Sequence, residues 1–219
     1  MYILMILGLV LASYLVGSIP FGLLIVRLST GKDIRSVESG RTGGTNAMRA
    51  AGIWAGLVTA FLDLMKSAVT VWLAQLLAPG STWLQVLAPV AAVLGHNYSI
   101  FLMERNADGT LKLRGGAGGA PTVGGALGLW PASFLILVPL GALILYGLGY
   151  ASVATMSVGL LAALIFAVRA MQGISPWQYV FYGLITEVFL ILALMPNIRR
   201  LIQGNERLVG WRARRKKTV

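Results

Sequence analysis

Two glycine-rich segments carry the residue types that handle anions. The first reads Ser39-Gly40-Arg41-Thr42-Gly43-Gly44-Thr45-Asn46-Ala47-Met48-Arg49. Small residues let the backbone approach a ligand closely, and Thr45 or Asn46 is placed to cap a following helix. Free amides at that helix start, together with hydroxyls and Arg49, suit a phosphate group. A flexible linker with arginines is the bland alternative. It does not need three glycines, two threonines and an asparagine packed between two apolar runs, so the anion site is the better reading. The second segment is Arg114-Gly115-Gly116-Ala117-Gly118-Gly119-Ala120-Pro121-Thr122. Pro121 fits a first helical turn, and Ala120 cannot cap the amides behind it. Those amides and Arg114 form either a second anion cradle or a glycine hinge. Two such loops on one face tilt the balance toward a site.

Other chemistry is thinly spread. With no cysteine, thiolate metal sites, disulfides and a cysteine nucleophile are excluded. A lone histidine, His96 in Leu94-Gly95-His96-Asn97-Tyr98, excludes multi-histidine metal sites and leaves no nameable triad. His96 reads either as a base or donor or as a hydrogen-bonded structural residue, and Phe101 stands where an H-x4-D pattern needs aspartate. Asp63 and Lys66 are spaced to pair on one helix. That pair reads as a packing device. Glu187 has no local partner in sequence, and Arg169 is a distant candidate.

The elements that must hold these loops are membrane spans. The 219-residue chain is 57% hydrophobic and 11% charged, whereas a soluble domain carries about 25% charged residues. Apolar runs fall at 2–26, 53–78, 83–103, 120–149, 151–168 and 176–195, most of them near the ~20 residues that cross ~30 Å of hydrocarbon. No repeat of about 20–50 residues marks a solenoid. Residues 1–219 read as one membrane domain with a basic tail at about 203–219.

Charge sorting then sets the topology. No Lys or Arg precedes the first run, and Arg27, Lys32 and Arg35 follow it, which argues against a cleaved signal peptide. Sixteen of the eighteen basic residues fall in loop 27–52, loop 103–119 or the tail 196–219, all expected to be cytoplasmic. Six spans from an outside N-terminus would strand the tail outside. The stretch 116–149, about 51 Å as one helix, must therefore cross twice. Trp130-Pro131 is the natural break, and a turn falls at Gly147-Leu148-Gly149-Tyr150. The expectation is an all-α integral membrane protein of seven transmembrane helices, one short, with the N-terminus outside and the C-terminus cytoplasmic. In the tail, Asn197 to Gly204 reads as a short interfacial helix, and Arg212, Arg214, Arg215, Lys216 and Lys217 favour anionic headgroups over nucleic acid.

These segments, in order, resemble the acyl-phosphate-dependent glycerol-3-phosphate acyltransferases of bacterial membranes. The resemblance runs from Gly17-Ser18-Ile19-Pro20-Phe21-Gly22 and Asp33-Ile34-Arg35 through Ser39-Gly40-x-x-Gly43-x-Thr45-Asn46-x-x-Arg49. It continues with Asp63-x-x-Lys66, Leu94-Gly95-His96, Phe101-Leu102 and the loop at 114–119, and closes on Asn197-Ile198-x-Arg200-Leu201 with Gly204-x-Glu206. It implies transfer of an acyl group from acyl phosphate to the 1-hydroxyl of glycerol 3-phosphate, giving lysophosphatidate, with no metal or cofactor and with a substrate phosphate taking the hydroxyl proton. Ser39, Thr45, Asn46 and Arg49 would bind phosphate; Arg114, Gly115 and Gly116 would hold the acyl phosphate; Asn197 would add a polar contact, with His96 a weaker candidate. Membrane lipids and an upstream acyl-phosphate-forming enzyme are the implied partners, at the cytoplasmic face of the bacterial inner membrane. A non-catalytic relative that binds a phospholipid or its precursor, and a small anion or lipid transporter, are the alternatives; the polar residues of a transporter should line a path across the bilayer.

The chain departs from the family pattern at four places. Arg41 stands where asparagine is usual, and a lysine-glycine-glycine-lysine-glycine motif becomes Arg114-Gly115-Gly116-Ala117-Gly118. A histidine-arginine-x-asparagine motif becomes Leu194-Met195-Pro196-Asn197. An extra segment, about Met103–Leu113 with a turn at Asn106-Ala107-Asp108-Gly109, lengthens the second loop. Arg41 would restore the charge lost at Ala117 if the fold brought the two together. For the topology, reporter fusions at residues 110 and 215 are expected on the same, cytoplasmic, face; opposite faces would overturn it.

Overall fold

Proline, glycine and small-residue spacing set the element boundaries. The computed structural model describes residues 2–213. The first apolar run breaks at Pro20, which cannot donate to the helix ladder, so α1 (Tyr2–Ser18) and α2 (Phe21–Thr30) are separate. A single 3-10 turn (Ile34–Ser36) and α3 (Gly44–Ala51) fill the first loop. Then come α4 (Ile53–Leu77), α5 (Thr82–Asn97), a hairpin of β1 (Ser99–Arg105) and β2 (Leu111–Arg114), α6 (Gly119–Leu129), α7 (Ser133–Leu148), α8 (Ala151–Met171) and α9 (Gln178–Ile202). The helix break at Trp130-Pro131 and the turn near Gly149 fall where the sequence places them.

Three expectations change. The extra segment folds into an antiparallel hairpin pairing Met103 with Leu113 and Glu104 with Lys112, so the chain is not purely α. The first run is two helices. The tail helix at Asn197–Gly204 is not separate, because α9 runs through Pro196 to Ile202; its lost donor is one that a membrane helix tolerates when neighbours cover the gap. Of the basic tail residues, Arg214, Arg215, Lys216 and Lys217 lie outside the described residues.

Four helical stretches are long and apolar enough to cross a membrane, Ile3–Thr30, Ile53–Leu77, Ala151–Met171 and Gln178–Ile202. The eleven residues of α6 reach only about 16 Å. The packing is that of a lipid-facing bundle: Leu4, Leu76 and Leu135 are 74%, 75% and 72% exposed, while Thr59, Thr122 and Thr186 are fully buried. Two of these hydroxyls return to their own helix, Thr122 Oγ1 to the Gly118 carbonyl at 2.8 Å and Thr186 Oγ1 to the Tyr182 carbonyl at 2.7 Å. Phe166, Tyr182, Val71 and Leu137 centre the main core, where α4 to α9 converge.

Close approach between α4 and α6 depends on Gly124-x-x-x-Gly128. A Cβ on Gly124 would fall on the Leu64 carbonyl, and one on Gly128 would sit 2.6 Å from Val71 Cβ. Small residues four apart let membrane helices touch backbone to backbone. Gly124→Ala is expected to destabilise the detergent-solubilised protein by about 1–3 kcal/mol, the scale of overpacking, despite alanine's helical advantage. Gly80→Ala, which meets nothing within 4 Å, is the control. Equal thermal unfolding curves for the two would overturn this account of the contact.

Candidate active site

The first loop is wound around one side chain. Asn46 Nδ2 faces the carbonyls of Ile34, Val37 and Arg41 at 3.2, 3.0 and 2.9 Å, fixing the loop ahead of α3. The cap of α3 is Gly43, with no side-chain hydrogen bond, which corrects the expectation that Thr45 or Asn46 would cap it. At the loop's outer end Asp33 accepts from the Arg35 amide at 2.8 Å and pairs with its guanidinium, which holds the Asp33 carboxyl below its ordinary value.

The glycine loop lies against the end of α5. The Gly116 amide donates to the His96 carbonyl at 2.8 Å, and the Gly115 carbonyl accepts from the Thr42 amide at 3.3 Å. A Cβ on Gly116 would enter the His96 imidazole, so only glycine fits. Arg114 points elsewhere: its Nε lies 2.6 Å from Glu104 Oε2 on β1, and the same carboxylate takes Arg35 at 2.9 Å. The hairpin thus ties both loops together through Glu104.

Beneath the loops sits a buried polar cluster. Lys66 Nζ lies 2.8 Å from Asp63 Oδ1, 3.0 Å from the Ile19 carbonyl and 3.0 Å from His96 Nδ1. The Asp63–Lys66 pair is the one its spacing predicts; His96, from α5, joins it, with Nδ1 3.4 Å from Asp63 Oδ1. An ammonium has only donors and a carboxylate only acceptors, so His96 Nδ1 would accept from Lys66 in one tautomer and donate to Asp63 in the other. Glu187 does not meet Arg169, which stacks on Trp130 with its Cζ 3.8 Å from the ring centroid.

A cavity of about 200 Å³ opens above this cluster. Five helix ends meet there, the starts of α3, α6 and α8 and the ends of α5 and α9, with Ala60 and Asp63 of α4 in the wall. Of the residues singled out from sequence, Ser39, Thr45, Asn46, Arg49, His96 and Asn197 line it, whereas Arg114, Gly115 and Gly116 do not. Gly115 and Gly116 shape its wall from behind. Burial lowers the pKa of both Arg49 and Arg41, yet each keeps its charge because a guanidinium is the most basic of the side chains and starts far above neutrality. Arg49 forms no ion pair among the described residues. Arg41, Glu206 and Arg207 also line the cavity. Glu206 accepts from Asn197 Nδ2 at 2.8 Å and from Arg200 Nε at 3.0 Å. The segment carrying it is strapped to the α7–α8 turn, where the Val209 amide meets the Gly149 carbonyl at 2.8 Å. Sequence marks Glu206 only through its family spacing and Arg207 only as a tail charge. Ser152 and Thr155, also in the wall, leave no sequence signal, because helix rotation alone brings them there.

Comparison with known proteins gives a consistent picture. The family model described as Glycerol-3-phosphate acyltransferase matches residues 7–204. A glycerol-3-phosphate acyltransferase of Thermus thermophilus is 37% identical, over 93% of this chain and 94% of its own length. One of Thermosipho melanesiensis is 39% identical, over 89% and 88%. The crystal structure of PlsY (YgiH), an integral membrane glycerol 3-phosphate acyltransferase, in its glycerol 3-phosphate form superposes with a TM-score of 0.81 at 30% identity, covering 94% of this chain and 96% of that one. Its lysophosphatidic acid form gives 0.75 at 28%, covering 94% and 95%.

Breaking the buried cluster tests its role as the floor of the cavity. Asp63→Ala leaves the Lys66 ammonium unpaired, and breaking a buried pair costs about 3–5 kcal/mol, so little folded protein is expected by size-exclusion chromatography. Asp63→Ala with Lys66→Met is expected to recover folded protein. A double variant no better than the single would refute the pairing as the stabilising element.

Proposed function

This chain belongs to the glycerol-3-phosphate acyltransferase family, and from that premise we propose that it transfers an acyl group from acyl phosphate to the 1-hydroxyl of glycerol 3-phosphate. The bond between the acyl carbonyl carbon and the phosphate oxygen breaks, and an ester to the glycerol oxygen forms. The hydroxyl proton passes to a substrate phosphate, and lysophosphatidate and phosphate leave. The observation that carries this reading is the cavity itself, which gathers Arg41, Arg49 and Arg207 with the polar groups of both glycine-rich loops at one end of an apolar bundle. Phosphorylated substrates suit such a cavity. With His96 Nδ1 engaged by the buried Lys66–Asp63 pair, transfer of the proton to a substrate phosphate is the step that requires no protein base.

Roles follow from position. Ser39, Thr45 and Arg49 bind the phosphate of glycerol 3-phosphate, with Asn46 holding their loop in shape. The α6 amides behind Gly118, free in a first helical turn, face the acyl donor. Gly115 and Gly116 place that turn, Arg114 steadies it through Glu104, and Asn197 adds a polar contact. No metal or cofactor enters the reaction.

The protein is a multi-pass membrane protein, since its solved relative is an integral membrane enzyme and several of its helices are apolar and long. The finer reading is one membrane domain over 1–219 with a basic tail from about 203, crossing seven times, N-terminus outside and C-terminus inside. The gathering of alternate helix ends at one cavity supports that parity, and the basic loops favour the cytoplasmic face of the inner membrane. Acyl phosphate is a reactive mixed anhydride, so an upstream enzyme that forms it is the expected partner.

Purified protein offered glycerol 3-phosphate with acyl phosphate, acyl-CoA or acyl carrier protein in turn is expected to turn over with acyl phosphate alone. Turnover restricted to a thioester donor would overturn the donor assignment. Arg49→Ala is expected to raise the KM for glycerol 3-phosphate by roughly 10- to 150-fold, the equivalent of about 1.5–3 kcal/mol for a hydrogen bond to a charged group, with insertion intact. An unchanged KM would remove Arg49 from the site.

A further inference from the structure

Arg41 reaches across the cavity wall without meeting a carboxylate. Its Nη1 donates to the Gly116 carbonyl at 3.1 Å, and its Nη2 contacts the Ala193 carbonyl and lies 3.4 Å from Asn197 Oδ1. These partners are neutral and come from the glycine loop and from α9. Three of five guanidinium donors are used. The nearby carboxylate of Glu206 is already engaged by Asn197 Nδ2 and Arg200 Nε. A cation enclosed in this way retains both a charge and donors for an anion.

The neighbouring wall has an open place for charge. Ala117 follows the carbonyl that Arg41 holds and lines the same cavity, but its methyl group offers neither charge nor donor. Arg114, the cation of that loop, is neutralised outside the cavity by Glu104. The loop's own residues therefore bring no charge into the cavity, and the guanidinium that contacts this loop from the cavity wall, that of Arg41, comes from the other loop.

The geometry points to Arg41 as the residue that binds a phosphoryl oxygen of a substrate, acting in the place that Ala117 leaves uncharged. Glu206 is a positioning residue for it: by taking the amide protons of Asn197 it turns Asn197 Oδ1 toward Arg41. The inference rests on the proposed acyl transfer. Because both substrates carry a phosphoryl group, Michaelis constants for each assign the source. Contact with the Gly116 carbonyl of the glycine loop favours the acyl phosphate.

Charge and hydrogen bonding can be separated. Arg41→Gln keeps a polar amide donor on a shorter side chain but removes the charge. It is expected to lower kcat/KM for acyl phosphate roughly 100-fold, the scale of one lost anion donor, with thermal unfolding near that of the unaltered protein. Adding Ala117→Lys to Arg41→Gln is expected to restore at least about tenfold, which a structural clamp on Ala193 would not permit. A change concentrated in the KM for glycerol 3-phosphate would keep the phosphoryl contact and move it to the acceptor. Arg41→Gln within threefold of the unaltered protein, or a folded Arg41→Gln that Ala117→Lys cannot improve, overturns the inference. Should Arg41→Gln fail to insert, Ala117→Glu decides: it should capture Arg41 and raise the KM for acyl phosphate far more than Ala117→Gln does, and equal effects refute the role. No turnover by the unaltered protein would instead remove the proposed function.

Discussion

A single buried ammonium organises this molecule. At membrane depth a lysine is costly unless every donor finds a partner, and Lys66 finds Asp63 on its own helix, the Ile19 carbonyl at the break between α1 and α2, and His96 on α5. Each partner comes at a point where the chain could otherwise drift. The helix break turns a carbonyl inward, and the histidine that completes the set also gives its own carbonyl to the Gly116 amide. Neutralising one charge thus registers three helices and sets the height of the loop above them. Buried networks of this kind act as units, since a member left unpaired is worse than an apolar substitute.

The loops follow the same electrostatic logic with signs reversed. Each acidic residue near the cavity has an occupation: Glu38 holds Arg207, Glu104 holds Arg35 and Arg114, Glu206 holds Arg200 and Asn197, and Asp63 holds Lys66. What remains is a surplus of guanidinium in a low-dielectric setting, where a charge–phosphate contact is stronger than in water. Attraction for anions comes from withholding carboxylates as much as from adding cations.

Much of this was legible from particular residues. Trp130-Pro131 and Gly149 end helices by local chemistry that any reader of the chain can see, and Asp63 with Lys66 pair by spacing along one helix. The two loops declared themselves through glycine and hydroxyl content. Other features depend on partners distant in sequence. The break at Pro20 is masked by uninterrupted hydrophobicity, and Ser99–Arg105 gives no sign of pairing with Leu111–Arg114. Arg114 leaves the cavity because of Glu104, whose position depends on hairpin register. His96 meets Lys66 only through the fold, thirty residues away. Arg41 and Ala117 become neighbours only once the glycine loop is laid against α5.

A cavity built where five helix ends meet has a bearing on how a membrane grows. A headgroup bearing phosphate does not cross hydrocarbon unaided, and a new acyl chain released at one end of the bundle enters the nearer leaflet. On the proposed activity, all newly made lipid precursor therefore arrives in a single monolayer. That monolayer would expand relative to its opposite, and lateral tension would build between the two. Balanced bilayer growth then requires a separate activity that carries lipid across.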